Sequence, residues 1–78
     1  MSDILELAKV IEENESAEAV AIKDYTDFLN LLDGTTISEA DKSFIKDTIH
    51  EIISDELNHQ TRLKTLYTML TGIEENKN

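Results

Sequence analysis

Apolar residues recur in alternating steps of four and three along almost the whole chain, and that spacing confines it to paired helices. In the first half the series runs Ile4, Ala8, Ile11, Glu15, Glu18, Ile22, Tyr25, Leu29, Leu32; in the second, Ile45, Ile49, Ile52, Glu56, His59, Leu63, Leu66, Leu70, Ile73. Sustained over roughly four heptads, such spacing reads as left-handed helix packing with crossing angles near 20°. There is no proline, and both glycines stand where a helix is expected to end, Gly34 after Leu31-Leu32-Asp33 and Gly72 after Leu70-Thr71. Between the two series, Ser38 with Asp41 three residues on carries helix-start chemistry, as does Thr36 with Glu39; Ser38 is the preferred N-cap. The expectation is one all-α domain over residues 1–78: helix 1 over about 3–33, a turn over about 34–37, helix 2 over about 38–72, and a frayed tail over 73–78.

A domain of 78 residues with one hydrophobic core commands only about 3–5 kcal/mol of stability, so it ordinarily needs a staple. Cysteine is absent, which removes disulfides and thiolate metal sites and leaves oligomerisation or a metal held by His and carboxylates. Flanking residues such as Leu7, Val20, Phe28, Ile53 and Tyr67 widen the apolar stripes beyond what one hairpin covers. The simplest cover is a second copy, giving a homodimer, or a higher homo-oligomer, as a four-helix bundle with two-fold symmetry. With 17 acidic residues against 7 basic ones the formal charge is −10, which argues against nucleic acid or an anionic membrane as partner and favours cations. The N-terminus has neither a basic region nor a long apolar run, so the default expectation is a cytoplasmic protein without a membrane span.

Polar residues interrupt both series. Glu56 and His59 hold seam positions where an apolar side chain is expected, as do Glu15 and Glu18, and an unpartnered buried carboxylate costs several kcal/mol. The i, i+3 spacing sets Glu56 and His59 on one helix face. Counted from the expected turn, Glu18 and Glu56 lie about 21 Å and 27 Å along their helices, close enough for Glu18 to face the Glu56–His59 pair. A two-fold axis at that level assembles four carboxylates and two imidazoles, whose charge two divalent ions neutralise; oxygen donors with imidazole suit iron or manganese, with zinc as a substitute.

Glu18-Ala19-Val20-Ala21-Ile22-Lys23-Asp24-Tyr25, followed by Asp55-Glu56-Leu57-Asn58-His59, resembles the half-site of ferritin-like di-iron carboxylate proteins: rubrerythrin, bacterioferritin and encapsulated ferritin. The resemblance covers about residues 4–72. Family members usually carry two such halves in one chain, whereas this chain carries one, so the encapsulated ferritin, a two-helix protomer that dimerises around its metals, is the nearest architectural parallel. The resemblance implies a ferritin-like bundle with two iron ions per dimer and a ferroxidase activity using O2 or peroxide. By the same resemblance Glu18 is a terminal carboxylate ligand, Glu56 the bridging carboxylate and His59 the nitrogen ligand. Tyr25 stands for the tyrosine beside the centre, and Asp55 for the acid that accepts a hydrogen bond from the partner's ligating His. The chain departs from the family in a longer separation between Glu18 and Glu56 and in lacking a rubredoxin-like cysteine module. Its tail does not resemble an encapsulin-targeting peptide, although a location inside a protein shell fits the architecture.

Blander readings stand beside these. Glu15 is either an additional ligand or a solvated carboxylate, Tyr25 an ordinary core tyrosine, and Asp55 an exposed partner of Arg62 or Lys46. His50 reads as a surface residue, Glu12, Glu13, Asp24, Asp27 and Asp47 as a solvated acidic face, and Phe28 and Phe44 as core or interface fillers. The whole polar layer reads alternatively as a device that fixes dimer register in a non-catalytic interaction module, or as a structural or buffering metal site without turnover.

Overall fold

The computed structural model describes residues 3–76. It contains two helices, α1 (Asp3–Asp33) and α2 (Glu39–Glu75), joined by residues 34–38, and no strand among the described residues. Asp33 at the end of α1 meets Lys46 near the start of α2, while Glu15 in the first half of α1 meets Lys64 in the second half of α2, so the helices run antiparallel. The result is a rod of 61 × 16 × 12 Å.

The short link is held by chemistry from both ends. Ser38 caps α2 by accepting from the Asp41 backbone N–H at 3.2 Å, and the N–H groups of Gly34 and Thr35 close back onto the carbonyls of Leu31 and Leu32 at 3.1 Å. No basic residue lies in the last turn of α1, so its carbonyl end lacks a cation of its own. α2 supplies two. Lys42, the one buried charged residue among those described, donates to the Asp33 carbonyl at 3.3 Å, and Lys46 reaches the Asp33 carboxylate at 2.6 Å. That hydrogen bond, with the adjacent lysine charge, holds the Asp33 carboxyl below the usual carboxylate range and raises Lys46 above the usual lysine range.

Burial along α1 follows the four-three series throughout: Ile4, Ala8, Ile11, Glu15, Glu18, Ile22, Tyr25, Leu29 and Leu32 are all buried or half-buried. Along α2 the seam follows Ile45, Ile49, Ile52 and Glu56, then passes to Gln60, Leu63, Tyr67, Leu70 and Glu74. His59, Leu66 and Ile73 therefore lie exposed on the flank, where the sequence spacing had them on the seam. The cause is geometric: a straight helix has 3.6 residues per turn, drifts about 20° per heptad against a 3.5-residue repeat, and corrects by taking two steps of four in succession.

α2 also outruns its expected end. It passes through Gly72 to Glu75, and the Asn76 N–H closes onto the Gly72 carbonyl at 3.2 Å; Lys77 and Asn78 of the expected tail lie outside the described residues. Gly72 has no left-handed backbone, and a Cβ placed there would meet nothing within 4 Å. Glycine lowers helix propensity without a steric power to stop a helix whose flanking residues still bury. Gly72→Ala should therefore stabilise the protein, by up to about 1 kcal/mol, read from the denaturation midpoint; a lower midpoint would mean the space is not open.

A second outcome concerns Asp33. A carboxyl whose folded pKa lies below its unfolded value of 3.8 stabilises the fold above that value, and the contribution is lost as pH falls through the lowered folded pKa. Asp33→Asn should lower the melting temperature slightly at neutral pH, because the pair is exposed, and leave it unchanged in strong acid. An equal drop at both pH values would assign the loss to something other than charge.

Candidate metal centre

Three side chains that the sequence spacing singles out converge at the middle of the rod. Glu18 is the central residue of α1, with fifteen helical residues on either side, and Glu56 and His59 bracket Leu57, the central residue of α2. Measured from the observed helix ends, Glu18 lies fifteen residues before Asp33 and Glu56 seventeen after Glu39. The apparent mismatch of a full turn thus shrinks to about 3 Å.

One ligand atom from each of Glu18, Glu56 and His59 lies within 4.8 Å of the other two. His59 Nδ1 stands 4.0 Å from Glu18 Oε1, too far for a hydrogen bond. Two atoms bound to one ion at about 2.0–2.2 Å each lie at most about 4.4 Å apart, so this separation already suits a shared ion and rotamer adjustments of about 0.4 Å admit the rest. Glu18 Oε2 is buried and has no hydrogen-bond partner. A carboxylate oxygen in that condition has lost water without gaining a donor, which is unfavourable unless a cation approaches it. The donor set, two carboxylates and one imidazole, fits a divalent transition metal with coordination positions left open.

The remaining candidates fall elsewhere. Glu15 is half-buried on the seam but faces Lys64 at 3.9 Å on the opposite flank from His59, so a lysine answers its charge, and it does not join the three-residue group. Tyr25 is half-buried on the α1 seam, about 10 Å along the helix from Glu18. Asp55 is exposed, and so is His50. Lys46 is engaged by Asp33 and not by Asp55.

The structure adds three residues that the spacing alone does not place at the site. An open cleft of ≈ 280 Å³ beside the cluster is lined by Asn14, Glu18, His59, Arg62 and Leu63. Asn14 donates its side-chain N–H to the Val10 carbonyl at 2.8 Å. Arg62 follows His59 by three residues, the helical step that pairs His59 with Glu56, so its place beside the cleft follows once His59 is known to line it.

Comparison with protein-family models, with curated proteins and with solved structures gives no match for this chain. The chemical case for the centre therefore rests on its own geometry. Glu18→Leu provides a direct check: replacing a half-buried carboxylate that has an unpartnered oxygen should stabilise the metal-free protein by about 1–2 kcal/mol. Destabilisation on that scale would reveal a partner for Glu18 and remove the reason for a cation.

Proposed function

We propose that this protein binds divalent iron through Glu18, Glu56 and His59, and that two copies join their half-sites in a ferritin-like four-helix bundle. The observation that carries the proposal is the convergence of three metal-competent side chains around the buried, unpartnered Glu18 Oε2. In the assembled centre four carboxylates would hold two ions, Glu56 in the bridging role, and the ions would supply redox chemistry toward O2 or peroxide with Fe²⁺ as the substrate oxidised. Manganese or zinc would suit the same donors without that turnover.

Three further features support a second copy. The chain exposes 5837 Å², about 1,000 Å² more than a compact monomer of 8.8 kDa, which is close to the roughly 800 Å² that each partner of a standard complex buries. Exposed apolar residues also stand at similar distances on either side of Glu18: Leu7 and Val10 toward the N-terminus, Phe28 and Leu31 toward the turn. Among the described residues only Ala8 and Leu32 are buried apolar side chains, too small a core for a lone hairpin.

The polar-layer reading has its own support in the Glu15–Lys64 pair, where a seam carboxylate is answered by a lysine. Among the described residues no lysine or arginine answers Glu18 or Glu56, which separates them from Glu15. Protein purified without chelator should carry about one metal ion per chain. At a free Fe²⁺, Mn²⁺ or Zn²⁺ concentration of about one hundred times Kd, the gain of about 2.7 kcal/mol should raise the melting temperature by roughly 10 °C or more. Absence of stoichiometric metal together with an unchanged melting temperature would sink the proposal. Oxygen consumption on adding Fe²⁺ separates a ferroxidase from a buffering site, and His59→Ala should abolish the metal response while leaving the dimer.

A further inference from the structure

One stripe of α2 lies outside the hairpin seam on the cleft side: Phe44, Thr48, Glu51, Asp55, Arg62, Leu66, Met69 and Ile73, all exposed. The steps along it are four, three, four, seven, four, three and four, so the spacing reads the same from either end. Reversed about its centre, between Asn58 and His59, it lays Phe44 on Ile73, Thr48 on Met69, Glu51 on Leu66 and Asp55 on Arg62. That centre coincides with the level of the Glu18–Glu56–His59 cluster. Phe44 is 73% exposed and Met69 60%, unusual for large apolar side chains with nothing to cover them. Asp55 and Arg62 stand about 10 Å apart along the helix, too far to pair with each other, and neither forms an ion pair within the chain among the described residues.

We infer that this stripe is a self-complementary seam on which α2 of a second copy packs antiparallel, so that Asp55 of each copy meets Arg62 of the other on either side of the metal level. The inference rests on the dimeric reading above and specifies its contact. A two-fold interface brings one surface against itself, and only a surface whose charges and apolar residues are exchanged by the two-fold can satisfy both copies. The stripe meets that condition near the axis, where Asp55 and Arg62 carry opposite charges, and at its ends, where Phe44 meets Ile73; Glu51 opposite Leu66 is the one unmatched pair. Arg62 matters doubly here. It is a basic side chain beside the cleft in a chain of net charge −10, so it offsets the repulsion between two acidic copies where they approach most closely. Asp55 then serves Arg62 of the second copy, and is not the acceptor for a ligating His that the ferritin-like resemblance implies.

Charge reversal tests this directly. In Asp55→Arg two arginines would face two arginines across the axis, and in Arg62→Asp two aspartates would face two aspartates. Each single variant should weaken dimerisation by roughly tenfold or more in sedimentation equilibrium. An equimolar mixture of the two variants restores opposite charges at both positions and should recover the wild-type dimer as a heterodimer. Wild-type dimerisation in both single variants, or single variants that stay monomeric when mixed although circular dichroism shows intact helices, would overturn the seam. Failure of the seam is distinguishable from failure of the metal reading: wild-type protein that dimerises and loads iron while the reversals have no effect loses only the seam, whereas wild-type protein that neither dimerises nor binds metal loses both.

Discussion

Two antiparallel helices can bury only one stripe each against the other, and the rest of this structure follows from that limit. The α1 stripe from Ile4 to Leu32 and the α2 stripe from Ile45 to Glu74 meet, and the remaining apolar surface stays in water. A rod 61 Å long and 12 Å thick has no interior in which large side chains can be enclosed. Hydrophobic burial therefore stabilises the hairpin weakly, and each polar residue on the seam takes up a share of a small contact area.

Against that background the seam carboxylates divide into two kinds. Glu15 has Lys64, and Asp33 at the turn has Lys46, with the Lys42 ammonium on its backbone carbonyl. Both arrangements use lysines from α2 to answer negative charge on α1, including the carbonyl end of a helix without a basic residue of its own. Glu18 has no such lysine. Its second carboxylate oxygen is buried and unpartnered, and its first faces an imidazole at 4.0 Å. An apolar side chain at residue 18 would suit the hairpin seam better.

Much of this was legible from spacing. The α1 series could be read through to Leu32, every member of it buried or half-buried. The α2 series held as far as Glu56 and then moved to Gln60, since accumulated drift carried residues 59, 66 and 73 off the seam. The convergence of Glu18 with Glu56 and His59 could be estimated only to within a turn, because the helix ends that set the level depend on the closure between Asp33 and Glu39. Lys42 was not legible as a buried residue: its burial comes from a chain reversal that brings it under the end of α1.

Two long helices, their four-three apolar pattern and the carboxylates Glu15, Glu18 and Glu56 that interrupt it are written in the sequence. Those outcomes are local, since periodicity, capping and helix propensity act over a few residues. The tertiary structure alone decided which of the interrupting residues meet, that Glu15 is answered by a lysine while Glu18 Oε2 is left without a donor, and that Arg62 lines the cleft beside them. Those outcomes depend on the axial and rotational register of two helices, which is set by the turn and by side chains distant in sequence.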